Sequence, residues 1–79
     1  MERVDHDNED FAFIEGRLRA TGYELLNWSV DGGRSIFRCI KRGEDPGEAF
    51  EITTSSPTVQ EQAEELIAAI TRRLEKRDT

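Results

Sequence analysis

The chain of 79 residues has very few of the side chains that support redox, metal or catalytic chemistry. It contains one cysteine, Cys39, and one histidine, His6. A single cysteine cannot close an internal disulfide, and a tetrahedral zinc site needs several cysteine or histidine ligands. We therefore expect packing alone to hold the fold together, with no metal and no cofactor.

Long hydrophobic segments are also absent. No apolar run approaches the roughly 18 residues of a membrane-spanning helix, and the first seven residues lack the apolar core of a signal peptide. The hydrophobic residues, 35% of the chain, are nevertheless grouped and periodic, which favours a folded domain over disorder. We expect a soluble, cytoplasmic protein that does not bind membranes.

Recognisable catalytic and metal-binding motifs are equally scarce. Cys39 falls between apolar residues of a predicted strand, where a thiol behaves as a small hydrophobic side chain. A reactive thiol needs a neighbouring base, and His6 lies in a predicted flexible arm. The acidic run at 5–10 imitates the first half of an EF-hand loop, but Asp10 stands where that loop requires glycine. We expect neither a metal site nor enzymatic activity.

Helical periodicity, strand alternation and turn residues divide the chain into five elements. Asp31-Gly32-Gly33 predicts a tight hairpin, because its central residues need a positive φ. Ser56-Pro57 and the capping box Thr58 to Glu61 offer two starts for the last helix. The predicted elements are a helix from Asp7 or Asn8 to Gly22, strands over 23–30, 34–42 and 48–54, and a helix from 56 to 77.

A two-residue hairpin fixes which side chains share a sheet face, because neighbours in a strand alternate between faces. Unbroken alternation predicts Tyr23 and Leu25 on the outer face and Leu26 in the core. The predicted fold class is a two-layer α+β domain, helix–three-stranded antiparallel meander–helix (αβββα), with both helices on one sheet face. We assign residues 1–7 to a flexible acidic arm and 8–77 to one domain. The predicted core is Phe11, Ile14, Leu18, Leu26, Trp28, Val30, Phe37, Cys39, Phe50, Ile52 and the apolar stripe of the second helix.

The outer face of the predicted sheet alternates basic and apolar side chains along its middle strand. Such a face can be a binding surface, or a solvated face on which Arg38 pairs with Glu51 across two strands. A structural homodimer would use Leu25, Ile36 and Ile40. The middle strand contributes Arg34, Ile36, Arg38, Ile40 and Arg42.

The order helix, three strands, helix is similar to that of the double-stranded-RNA-binding domain. That family contacts RNA through a lysine-rich start of its last helix, where this chain has Glu61, Glu64 and Glu65. Phosphate binding requires basic groups there, so the charge has the wrong sign. Nucleic-acid binding is therefore the alternative, carried by the sheet face with Arg34, Arg38 and Arg42.

The net charge of −6 favours a protein partner with a basic surface. We expect a small acidic protein-binding module, plausible as an inhibitor or nucleic-acid mimic that occludes a protein handling nucleic acid. In size and charge it resembles anti-CRISPR and anti-restriction proteins. Acidity that only keeps the domain soluble is the competing interpretation. The predicted partner-binding residues are Glu61, Glu64, Glu65, Glu44, Asp45, Arg34, Ile36, Arg38 and Ile40.

Overall fold

A computed structural model describes the backbone of residues 2–77 and the side chains through Arg73. It confirms an α+β fold with an antiparallel meander and two helices. A single 3₁₀ turn at Pro46–Glu48 precedes the last strand. Because of this turn, the last strand begins at Phe50, later than predicted. The elements are β1 (Glu2–Arg3), α1 (Glu9–Ala20), β2 (Tyr23–Asp31), β3 (Arg34–Lys41), β4 (Phe50–Thr54) and α2 (Val59–Arg77).

Both helices begin at residues that satisfy free backbone donors. The side chain of Asn8 accepts a hydrogen bond from the backbone N–H of Asp10 at 2.7 Å, which caps α1. The hydroxyl of Thr58 accepts one from the N–H of Glu61 at 3.2 Å. The second of the two predicted starts of α2 is therefore the one used. Gly22, with φ of 86°, allows the chain to reverse after α1.

The meander is built on the predicted hairpin. Gly32 and Gly33 have φ of 56° and 82°, the two positive values that a two-residue turn of this kind needs. Asp31 pairs with Arg34 directly beside the turn. β4 then pairs antiparallel with β3, with Ile52 opposite Phe37.

Within residues 2–77 the sheet has four strands, where we predicted three. Glu2 and Arg3 pair antiparallel with Val30 and Ser29 of β2, and the N–H of Val4 donates to the carbonyl of Trp28 at 2.8 Å. Part of the segment that we assigned to a flexible arm therefore extends the sheet. A strand of two exposed residues has no hydrophobic alternation from which it could be predicted.

The predicted alternation of β2 is wrong in its first half. The pairing with β3 shifts between Leu25 and Asn27, so Leu26 is the extra residue of a β-bulge. Because a bulge adds one residue to the strand, each side chain before it points to the sheet face opposite to the one that unbroken alternation predicts. Tyr23 and Leu25, predicted on the outer face, are therefore core residues with 2% and 3% exposure, and Leu26, predicted in the core, is half-buried.

Side chains from both helices and from the inner sheet face form one hydrophobic core, as expected for a two-layer fold. The rings of Trp28 and Phe37 pack against each other in this core, with their centroids 5.0 Å apart and their planes tilted by 34°. Val30, Phe50 and Ile52 pack against this core while remaining half-buried. The core consists of Phe11, Ile14, Leu18, Tyr23, Leu25, Trp28, Phe37, Cys39, Ala63, Leu66 and Ile70.

The two helices run in the same direction across the sheet. α1 packs on β2 and joins it through a two-residue turn, so it runs antiparallel to β2. The guanidinium of Arg73 lies over the ring of Phe50 at 4.1 Å, so α2 runs antiparallel to β4. Because β2 and β4 are both antiparallel to β3, both helices start at the end of the sheet that carries the hairpin.

Candidate protein-binding surfaces

The parallel helices distribute the charges of the molecule unevenly between the two ends of the sheet. Glu9 and Asp10 in the first turn of α1, Glu61 in the first turn of α2 and Asp31 at the hairpin are all exposed at the same end of the sheet. We call these four residues the acidic end. The carboxylates of Glu9, Asp10 and Glu61 also interact favourably with the helix dipoles. Among the side chains that the structure describes, the opposite end exposes the acids Asp45 and Glu48 and the basic residues Arg17, Arg19, Lys41, Arg42, Arg72 and Arg73.

The three predicted glutamates of α2 do not share one environment. All three are exposed, but only Glu65 lines the groove that runs between β4 and α2. Glu61 and Glu64 lie on other parts of the helix surface, where they add to the negative charge near its start. The structure therefore divides this predicted cluster between two surfaces.

Glu44 and Asp45 lie far from the glutamates at the start of α2. They follow the end of β3 at Lys41, at the end of the sheet opposite to the hairpin. The N–H of Glu44 donates to the carbonyl of Lys41 at 3.1 Å, and Asp45 precedes the 3₁₀ turn. These residues do not form a single binding surface with the acidic end.

The outer sheet face places each of two arginines beside an acid. The guanidinium of Arg38 and the carboxylate of Glu51 are 3.8 Å apart, which confirms the predicted cross-strand pair. Arg34 pairs with Asp31 across the hairpin, and Arg42 lies beyond the end of β3. The negative charges beside the arginines reduce the attraction of this face for phosphates.

The apolar surface predicted for a homodimer is much smaller than expected. Leu25 points into the core, and Ile40 on the outer face is only 6% exposed. Ile36 remains half-buried. A shallow pocket of about 270 Å³ adjoins it, lined by Asp31, Gly32, Arg34, Ile36 and Thr53.

A second concavity lies in the groove between β4 and α2. It has a volume of about 170 Å³, and its walls are the last part of the edge strand and one flank of the helix. Sequence reasoning missed it because residues far apart in the chain form it, and no local pattern reports their contact. Its lining residues are Ile52, Thr53, Thr54, Ser55, Glu65, Ala69 and Arg72.

The buried thiol of Cys39 is poorly suited to chemistry. The residue is fully buried, and loss of hydration raises its pKa from an ordinary 9.0 to about 12. In the part of the chain that the structure describes, no three His, Cys, Asp or Glu residues are grouped so as to hold a metal ion. Within that same part, neither helix combines the length and hydrophobicity needed to cross a membrane.

No known protein family, curated protein or solved structure matches this chain. The candidate surfaces therefore have to be compared by their own geometry and charge. The acidic end brings four exposed carboxylates to one end of the sheet, with Arg34 opposite Asp31 across the hairpin. The outer sheet face has charges of both signs and a small apolar area.

Proposed function

We propose that this protein is a small non-enzymatic protein-binding module that captures a basic partner at its acidic end. The observation that supports this function is the group of exposed carboxylates at the hairpin end of the sheet. Two helix starts and the hairpin bring Glu9, Asp10, Asp31 and Glu61 to one end of the sheet, whereas the other end exposes basic side chains together with the acids Asp45 and Glu48. A localised negative field attracts and orients a positively charged partner before contact.

The class of partner follows from the kind of surface that such a field recognises. Extended basic surfaces are typical of proteins that bind nucleic acid, because those surfaces neutralise phosphates. A domain that occupies such a surface competes with the nucleic acid and so inhibits the partner. We propose this inhibitory role, of the kind found in anti-CRISPR and anti-restriction proteins, as the specific form of the function.

Charge reversal at two matched places tests this proposal. Glu61→Lys with Glu64→Lys and Asp45→Lys with Glu48→Lys each change the net charge from −6 to −2, at opposite ends of the sheet. The wild type and both double variants are used as baits in extract from the native host, and captured proteins are identified by mass spectrometry. We expect a basic protein that the α2 variant loses and the Asp45/Glu48 variant retains.

The association rate with the captured protein gives a second measurement. If the acidic end steers association, raising the salt concentration lowers the on-rate much more than it raises the off-rate. Capture of the basic protein that is retained by the α2 variant and lost by the Asp45/Glu48 variant would contradict the proposal. So would binding of RNA or DNA at physiological salt that requires Arg34, Arg38 and Arg42.

A further inference from the structure

β4 is an edge strand, because the strands lie in the order β1-β2-β3-β4. The groove lies on its open side, with Ile52 and Thr53 in one wall and Glu65, Ala69 and Arg72 in the other. An edge strand presents backbone donors and acceptors that can pair with a further strand. The groove therefore combines an open backbone edge with a helix flank.

The hairpin determines which backbone groups face the open side. The residues beside a two-residue turn exchange hydrogen bonds, and bonded and non-bonded pairs alternate along an antiparallel ladder. The backbone N–H and C=O groups of Arg34 in β3 therefore bond to β2. Phe37 lies three residues further along β3, so its backbone groups point to the other side and bond to Ile52 of β4. The N–H and C=O groups of Glu51 and Thr53 then point away from β3, toward the open side.

Ile52 and Ala69 lie at the same level along the groove. Arg73 contacts Phe50, and α2 runs antiparallel to β4 from that contact. Four helical residues rise about 6 Å, and two strand residues rise about 6.6 Å. Moving by these amounts from Arg73 and Phe50 leads to Ala69 and Ile52, and both line the groove.

We propose that the groove binds a second copy of this chain, with the two β4 strands paired antiparallel about a two-fold axis through Ile52 and Ala69. The outward backbone groups of Glu51 then pair with those of Thr53 of the partner subunit. Ile52 lies opposite Ile52 of the partner subunit, so the pairing places no like charges together. The two sheets join into one continuous sheet of eight strands, and the two α2 helices lie side by side.

The charge order of α2 is complementary to an antiparallel copy of itself. Glu65 precedes Ala69, Arg72 follows it, and both charged residues are exposed at the groove. Antiparallel pairing about Ala69 brings Glu65 of each subunit beside Arg72 of the partner subunit, and the symmetry forms this ion pair twice. The short side chain of Ala69 permits the 8–10 Å separation of packed helices.

This inference goes beyond the proposed function and does not rest on it. Glu61 and Glu64, which the test of partner capture reverses, do not line the groove. The two surfaces can therefore be altered separately. Failure of the dimer leaves the acidic end unchanged, and failure of partner capture leaves the groove unchanged.

Sedimentation equilibrium of the full chain from about 1 μM to about 1 mM tests the dimer. We expect a concentration-dependent dimer in the wild type. Glu65→Arg and Arg72→Glu should each raise its dissociation constant at least about tenfold, because each turns two attractive contacts into repulsive ones. An equimolar mixture of these two variants should dimerise again, since each subunit then supplies the charge that the other needs. Glu64→Arg, outside the groove, is the matched control and should leave the dimer unchanged.

A backbone substitution tests the strand pairing independently of charge. Thr53→Pro removes one outward N–H at a position where an edge strand tolerates proline, and Thr53→Val keeps that N–H. We expect the first variant to weaken the dimer and the second to preserve it. A wild type that stays monomeric throughout overturns the proposal. A dimer that survives both charge reversals but dissociates with Ile36→Glu also overturns it, because the interface then lies on the outer sheet face.

Discussion

The β-bulge in β2 decides which of two adjacent leucines belongs to the core, and truncation of each leucine tests it. Leu25 is 3% exposed, whereas Leu26 is half-buried outside the core cluster. Truncating a buried leucine to alanine removes its transfer free energy and leaves a cavity, at a cost of about 2–5 kcal/mol. Leu26→Ala removes partly hydrated surface and leaves no enclosed cavity, so we expect about 1 kcal/mol or less.

These costs are large for a domain of this size. At about 0.05–0.15 kcal/mol per residue, a 79-residue chain has a free energy of unfolding of roughly 4–12 kcal/mol. Leu25→Ala therefore removes a substantial share of the stability and can unfold the protein at the lower end of that range. Leu26→Ala leaves the protein folded in either case.

Urea denaturation followed by the fluorescence of Trp28, the single tryptophan, measures both variants. With a slope near 1 kcal/mol per M, Leu25→Ala should lower the midpoint by about 2 M or more. The midpoint of Leu26→Ala should fall by about 1 M or less. If Leu26→Ala is the more destabilising variant, the strand alternates without interruption and the bulge is refuted.

Two further predictions concern the same core. Deleting Leu26 removes the extra residue of the bulge and leaves every other pair of β2 with β3 intact, so the protein should remain folded. Deleting Ser29 instead turns every side chain of β2 from Trp28 back to its start to the opposite sheet face. That variant should lose cooperative unfolding as measured by circular dichroism. Burial raises the pKa of Cys39 to about 12, so the unfolded thiol ionises from about pH 9 while the folded thiol keeps its proton. The contribution of the Cys39 thiol to the free energy of unfolding is therefore complete below pH 9. Above pH 9 this contribution should decline by about 1.4 kcal/mol per pH unit, up to about pH 12. The difference between wild type and Cys39→Ala across alkaline urea titrations isolates this slope, and equal slopes would contradict it.

Elements with a local chemical cause could be predicted from the sequence. The hairpin follows from Gly32 and Gly33, because few other residues adopt two successive positive φ values. The start of α1 follows from the capping ability of Asn8. Trp28 and Phe37 face the core as expected, because the register next to a two-residue turn leaves no alternative.

The first half of β2 could not be predicted in the same way. Tyr-Glu-Leu-Leu-Asn-Trp contains two adjacent leucines, and strict alternation places the second one inside while a bulge places the first one inside. The bulge buries Tyr23 together with Leu25, and the ring of Tyr23 meets the ring of Phe50 edge to face at 6.0 Å. This gain depends on contacts with β4, about 27 residues away along the chain, which local alternation does not include.

The groove was beyond prediction for a related reason. Strand alternation places Ile52 and Thr53 on opposite faces of β4, and the apolar stripe of α2 identifies its buried face. Neither pattern gives the position of α2 relative to the edge of β4. That position depends on how the packed side chains of both helices fill the core, so Glu65 and Arg72 became groove residues only in the folded structure.

The order of charges along α2 links the two proposals. Acidic residues near its start and basic residues near its end follow the helix dipole, and this order alone stabilises the helix. In the dimer that we propose, the same order makes α2 complementary to its antiparallel copy. The two-fold axis then reverses one sheet relative to the other, so the two acidic ends lie at opposite ends of the eight-stranded sheet. A partner with two basic surfaces would engage both ends at a higher effective concentration than a monomer provides. Dimerisation and capture should therefore strengthen each other for such a partner and stay independent for a partner with one basic surface.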